Sequence, residues 1–301
     1  MDHERHSSQY AGALKHYLTP LNVGLQLTKP GIILGNLASV LGGYFLASDG
    51  HLASASHLAA TVIGTALVIG CGCVLNNCVD RDIDRRMIRT CYRALAIRIV
   101  PVWAALCYAI ALGVGGFLLL WIGTNAMACL LALTGLSIYA GVYSCWLKRS
   151  SLWGTLIGSI SGAMPPVIGY CAVSGQFDTT AALLIAVFCF WQMPHSHAIS
   201  VMRQDDFRAA GLPLLGPVRT QRQMKGYMLA FILSAVGLDI IANLNVAYGI
   251  VVLGLGGYWL LLAYSSTRLT DPRHWARKIF TFSIVLILCI NLTLSLGSAV
   301  V

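Results

Sequence analysis

Apolar runs close to twenty residues long recur from one end of this chain to the other, broken by short polar stretches. Nine can be drawn, at about residues 31–47, 58–79, 99–121, 125–147, 152–173, 180–199, 226–244, 246–264 and 279–300. A hydrocarbon core about 30 Å thick takes about twenty helical residues to cross. Within lipid a helix satisfies its own backbone polar groups. The pattern therefore predicts an all-α, polytopic membrane protein of about nine transmembrane helices. No linker, low-complexity segment or soluble domain interrupts it, so residues 1–301 read as one membrane-embedded domain.

Composition agrees: 57% of the residues are hydrophobic and 10% charged, against about 25% charged in an average soluble domain. The net charge of +9 would suit a nucleic-acid binder, but its placement argues for topology. All 20 Lys and Arg fall in the N-terminal 30 residues and in 80–98, 148–151, 200–225 and 265–278, from Arg5 and Lys15 to Arg277 and Lys278. The connections on the other side, 48–57, 122–124, 174–179 and around 245, contain none. Basic residues collect in cytoplasmic loops, so the N-terminus and the long loops are expected in the cytoplasm. Residues 1–28 then form a cytoplasmic segment. No continuous apolar core of a signal peptide is visible there, and residues 10–27 are mildly amphipathic.

The 10 cysteines sit mostly inside predicted spans and carry no paired CxxC spacing, which favours packing over metal or disulfide roles. Small residues four apart, Gly31/Gly35 and Gly154/Gly158/Gly162, predict close helix approach. Pro165-Pro166 lies within the fifth span and should kink it, a hint of a central cavity.

Candidate chemistry concentrates at one place. Asn76, Asp80 and Asp84 stand at i, i+4 and i+8, and side chains so spaced share one helix face. A chain with 11 acidic residues places three of them, Asp80, Asp82 and Asp84, within five positions, flanked by Arg81, Arg85 and Arg86. Mg²⁺ prefers carboxylate, carbonyl and water oxygens and commonly shares its shell with substrate phosphates. The row therefore suits Mg²⁺ with a phosphate-rich ligand, although a solvated helix end also carries alternating charge.

A second constellation follows the sixth span, with His195, Met202, Asp205 and Asp206. Asp206 is a candidate for a second metal-binding edge and His195 for polarising a substrate; a capped loop with interfacial histidines is the simpler reading. Both constellations begin at the same end of even-numbered spans, which suggests two halves facing across a cavity open to the cytoplasmic side. Lys148-Arg149 closes the fourth span after Tyr139 and Tyr143, as a positive-inside anchor would. Asp239, an intramembrane acid, reads as a helix-end residue, and His51 and His57 take no role.

Asn-x-x-x-Asp-x-x-x-Asp at a helix end resembles the first aspartate-rich motif of the UbiA superfamily of intramembrane prenyltransferases. Leu27-Thr28-Lys29-Pro30-Gly31, Met87-x-Arg89-Thr90, Gly154-Thr155-Leu156-Ile157-Gly158, Ala163-Met164-Pro165-Pro166-Val167-Ile168-Gly169-Tyr170, Trp191-Gln192-Met193-Pro194-His195 and Trp275-Ala276-Arg277-Lys278 are similar to its haem-prenylating branch. The resemblance implies transfer of farnesyl from farnesyl diphosphate to a vinyl group of haem B. It implies Mg²⁺ on Asp80 and Asp84, with Asn76 as neutral ligand or orienter and Asp206 as the ligand from the facing half. It also implies Arg81, Arg85, Arg89, Lys148 and Arg149 at the diphosphate and His195 on the haem side, at the iron or a propionate. Partners would be the lipid bilayer and, beyond it, haem-processing enzymes or terminal oxidase assembly, in a bacterial inner membrane. Met202 stands where related motifs carry a second acid, and Cys91 where Lys is common after Arg-Thr.

Two other readings stand beside this one. A prenyltransferase acting on aromatic quinone precursors would share the aspartate row but not the Trp191–His195 segment. A haem carrier or assembly factor without catalysis would be expected to bury acids in mid-span, whereas here they cluster at one face.

Overall fold

The computed structural model describes residues 20–265 and 271–297; Arg5, Lys15 and most of the expected N-terminal segment lie outside them. Among the described residues the regular structure is helical. A short α1 (Pro20–Thr28) leads into α2 (Pro30–Ala47), followed by α3 (Ala55–Asp84), α4 (Val102–Gly123), α5 (Ala126–Ser150), α6 (Gly154–Ser174) and α7 (Thr179–Met202). The short α8 (Gln204–Ala209) precedes α9 (Pro217–Ala242), α10 (Val246–Leu262) and α11 (Pro272–Leu294). Eight helices, α2 to α7, α9 and α11, are long and apolar enough to cross a membrane. The shorter α10 must cross as well, because α9 and α11 both start at the end where the basic residues collect. The chain is a multi-pass membrane protein, and among the described residues its eight long helices and α10 agree approximately with the nine expected runs.

Local signals set the helix starts. Ser54, Asn125, Asp178 and Asn245 each accept a backbone N–H from the first turn of the helix that follows, as good N-caps do. Proline opens α2 and α11, where its missing N–H costs no hydrogen bond. Around the outside, large apolar side chains such as Trp103, Ile122 and Ile240 remain exposed; in a spanning helix these face lipid.

Because lipid is as apolar as leucine, helices associate through close packing, and small residues allow it. The tightest crossing joins α2 to α6. A Cβ on Gly43 would lie 1.8 Å from the Pro166 carbonyl oxygen, and one on Gly169 would lie 2.0 Å from that of Val40. Pro165 and Pro166 are both buried inside α6, so the proline pair sits at a backbone-to-backbone contact. The Gly154/Gly158/Gly162 stripe behaves as expected, meeting Leu147, Tyr143 and Gln192 at close range. Gly31 and Gly35 do not: nothing lies within 4 Å of a Cβ at either position. All ten cysteines are free, with Cys71, Cys73, Cys78, Cys171 and Cys189 packed in the interior.

Candidate active site

Helix α3 runs 30 residues, past the expected span end near residue 79, so the whole Asn76/Asp80/Asp84 row is helical. Spaced by four, its side chains stack on one face, and that face is inward: the three residues are 4%, 1% and 4% exposed. The Asn76 amide donates to Asp80 Oδ2 at 2.8 Å, along the row, and to Ser144 Oγ at 3.1 Å, across to α5. Asp82, on the opposite side of α3, is exposed. One turn below Asn76 the same face carries Gly72; a Cβ there would meet the Tyr139 ring at 3.2 Å. The missing side chain admits Tyr139, which stacks on Tyr143 at 6.0 Å between ring centroids. An aromatic wall thus lies below the polar row.

Four cationic side chains converge on these acids from three separate segments. Lys29 joins α1 to α2 in a left-handed conformation, φ 56°; the following Pro30 keeps it out of a right-handed helix. Its Nζ donates to Asn76 Oδ1 at 2.7 Å. Loss of water around the ammonium, then the positive charges of Arg93 and Lys148, push the Lys29 pKa down to about 8. Lys148, at the end of α5, pairs with Asp80 Oδ2. It is delivered by a stretch of wider π-helical turns, Ser137–Leu147, a distortion often found at functional sites. Arg149 forks onto Asp82, 2.7 Å on both oxygens, and donates to the Val79 carbonyl at 2.6 Å. Arg93, from the connection between α3 and α4, donates to both Asp84 oxygens at 2.8 and 3.0 Å.

The expected diphosphate contacts divide. Lys148 and Arg149 reach the row, whereas Arg81 donates to the Cys78 carbonyl and Arg85 to that of Ala96. Both turn toward a second cleft, also lined by Leu95, Arg98 and Val102. Side chains adjacent to the row in sequence leave an α-helix in different directions, which is why flanking arginines do not share its face. In their place stand Lys29 and Arg93. Lys29 carried a sequence signal, since it precedes the proline of the Leu27–Gly31 segment. Arg93 and Ser144 carried none, as only the chain's path brings them in.

Asp206, expected as the ligand from the facing half, also makes a structural contact. It lies on α8 and accepts the Ile88 backbone N–H at 2.9 Å, tying the α3–α4 connection to the segment after α7. With Arg89, Met202, Arg203 and Arg273 it lines an open basin of about 630 Å³. Among the described residues no three or more His, Cys, Asp or Glu side chains group as cation ligands. Oxygen donors are nonetheless ready for a hard cation at the row. Asp80 Oδ1 is buried without a hydrogen-bond partner, with the Arg149 guanidinium 3.9 Å away. An unpartnered buried carboxylate oxygen is costly, and an Mg²⁺ ion is the kind of ligand that offsets the cost.

His195 lies on α7, packed between the Trp191 and Phe280 rings at centroid distances of 4.9 and 4.7 Å. Its Nδ1 is 2.7 Å from Ser283 Oγ on α11. Cys91, in the α3–α4 connection, turns its thiol to the Ile88 carbonyl.

Comparison with known proteins narrows the chemistry. The sequence pattern of the UbiA prenyltransferase family matches residues 36–285. A protein named protoheme IX farnesyltransferase from Chromohalobacter salexigens is 49% identical over 276 residues, 90% of this chain and 93% of its own length. One named protoheme IX farnesyltransferase 2 from Pseudomonas entomophila is 47% identical over 290 residues, 95% of this chain and 96% of the relative. Among solved structures, a digeranylgeranylglyceryl phosphate synthase superposes with a TM-score of 0.73 at 16% identity, covering 92% of this chain and 98% of its own. A UbiA homolog from Archaeoglobus fulgidus bound to GPP and Mg²⁺ gives 0.64 at 16% identity, covering 88% and 99%.

Proposed function

The chain belongs to the UbiA prenyltransferase family, and from that premise we propose that it transfers the farnesyl group of farnesyl diphosphate to a vinyl group of haem B, with diphosphate leaving and water adding its hydroxyl to the other vinyl carbon as it loses a proton, giving haem O. The observation that carries this reading is a buried carboxylate pair, Asp80 and Asp84, ringed by Lys29, Arg93, Lys148 and Arg149 with one carboxylate oxygen left unpartnered. Relatives named as protoheme IX farnesyltransferases at 47–49% identity over at least 90% of this chain supply the acceptor.

In this reading Asn76, Asp80 and Asp84 hold Mg²⁺, which when bound neutralises the oxygens of the departing diphosphate. Lys29, Lys148 and Arg149 bind the same oxygens, their charges fixed in place before the reaction begins. Lys148 and Arg93 neutralise the Asp80 and Asp84 carboxylates. The Tyr139 and Tyr143 rings below the row line the start of the prenyl groove; their faces favour positive charge developing on the allylic carbons. Apolar helix faces further along exclude water from it. His195 serves the haem side. Asp206 contributes by holding the α3–α4 connection through Ile88. We extend the reading to a single domain in a bacterial inner membrane, residues 1–28 and the site on the cytoplasmic face, with contact to haem-processing enzymes.

The test is turnover by the purified protein with haem B, farnesyl diphosphate and Mg²⁺, read by mass spectrometry. The expected product is haem B heavier by a hydroxyfarnesyl group, and Asp80→Asn should abolish it. No product from haem, with prenylation of an aromatic acid instead, would replace haem as the acceptor. Full turnover by Asp80→Asn would remove the metal assignment.

A further inference from the structure

The hydrogen bonds around His195 specify which of its ring nitrogens is available. Ser283 has one hydroxyl proton, and its Oγ lies 2.6 Å from the Phe280 carbonyl oxygen one turn earlier on α11. With that proton donated to the carbonyl, Ser283 Oγ meets His195 Nδ1 at 2.7 Å only as an acceptor. Nδ1 then carries a proton, and in the neutral ring Nε2 holds the lone pair. The rest of the pocket fixes the ring's position. Trp191 stacks on one side, with planes 27° apart, and its Nε1–H donates to the Ser283 carbonyl at 2.9 Å. Phe280 packs against the ring at 4.7 Å. His195 is partly exposed, and Nε2 makes no hydrogen bond to any described residue.

A neutral imidazole with Nδ1–H tied to an oxygen and a free Nε2 has the form of a metal-ligating histidine, whose second nitrogen is almost always held in this way. Resting on the haem acceptor proposed above, we propose that His195 Nε2 coordinates the iron of the haem substrate, and that Ser283 positions it by holding the tautomer. This geometry favours the iron over a propionate. A neutral ring with no N–H at its free edge has nothing to donate to a carboxylate, but has a lone pair for a metal. No electrons are transferred in this step: Nε2 gives its lone pair to a vacant axial position and Nδ1 keeps its proton.

The measurement is the absorption and electron paramagnetic resonance of ferric haem bound to the full-length protein in nanodiscs, beside binding of iron-free protoporphyrin IX. Wild-type protein should give a histidine-ligated spectrum. His195→Gly should lose it and regain it with added imidazole, while protoporphyrin affinity stays as in the wild type. Ser283→Ala should weaken haem binding by about tenfold and leave protoporphyrin binding unchanged. An unaltered haem spectrum in His195→Gly overturns the proposal, as does equal loss of haem and protoporphyrin, which would mark His195 as packing. An unaltered spectrum with lost turnover points instead to a base acting on water. If wild-type protein makes no prenylated haem, the acceptor assignment fails whatever the spectra show.

Discussion

Arg93→Ala is the perturbation that most directly separates this site's electrostatics from what surface charge would predict. Arg93 donates twice to Asp84 and reaches Asn77 at 3.5 Å. Breaking a fully buried ion pair by removing one partner costs about 3–5 kcal/mol, whereas an exposed pair contributes about 0–1 kcal/mol. The Asp84 side chain is 5% exposed and that of Arg93 29%, between those limits. After the discount for solvent on the arginine side, Arg93→Ala should destabilise by about 2 kcal/mol. Arg273→Ala is the control, because in its pair with Asp205 the side chains are 55% and 65% exposed; it should lose no more than about 1 kcal/mol. Thermal unfolding in detergent, followed with a thiol-reactive dye that reports exposure of the buried cysteines, ranks the two. In Arg93→Ala the Asp84 carboxylate is left without its cation, so added Mg²⁺ should raise the midpoint more than it does in wild type, by ligand linkage. Equal midpoints for the two variants, or no extra response to Mg²⁺, would refute the account of Arg93 as the resident counter-charge.

Removing divalent metal with a chelator should abolish turnover yet barely move the unfolding midpoint, since Lys148 and Arg93 already compensate Asp80 and Asp84; a large drop on chelation would mean the metal is part of the fold. Gly43→Ala forces a Cβ to 1.8 Å from a backbone carbonyl and should cost at least the 1–3 kcal/mol typical of overpacking, about 3 kcal/mol here. Gly35→Ala, with open space around it, should be neutral in the same unfolding assay. Lys148→Ala should lower kcat/KM with farnesyl diphosphate by about a hundredfold, while Arg81→Ala, turned away toward Cys78, stays within severalfold of wild type. The reverse order would return the diphosphate to the flanking arginines.

Much of this site is legible in the amino-acid sequence. Four-residue spacing is a property of the helix itself, so Asn76, Asp80 and Asp84 had to share a face once the segment was helical. The one-sided placement of Lys and Arg likewise ordered nine crossings, and it explains why α10 crosses despite its length. Local rules misled where a partner in space decides the outcome. Arg81 and Arg85 flank the row in sequence but bond to backbone carbonyls away from its face. Gly31 and Gly35 have the spacing of a helix interface, yet nothing packs against them; the same four-residue series continues through Ser39 to Gly43, which holds the tightest crossing together with Gly169.

By itself the amino-acid sequence determined the membrane class, the number of crossings, the end where the charges gather and the oxygen-bearing row, because hydropathy and helical period act over a few turns of one chain. Tertiary structure decided which cations reach that row and from how far: Lys29 from 47 positions away and Lys148 from 68. It also decided that Asp206 accepts the Ile88 backbone N–H, and that a serine hydroxyl on α11 meets a ring nitrogen of a histidine on α7, 88 positions away. Charge–charge and hydrogen-bond contacts are made across helices packed side by side. They depend on how the backbones approach at positions such as Gly43 and Gly169, which no single helix encodes.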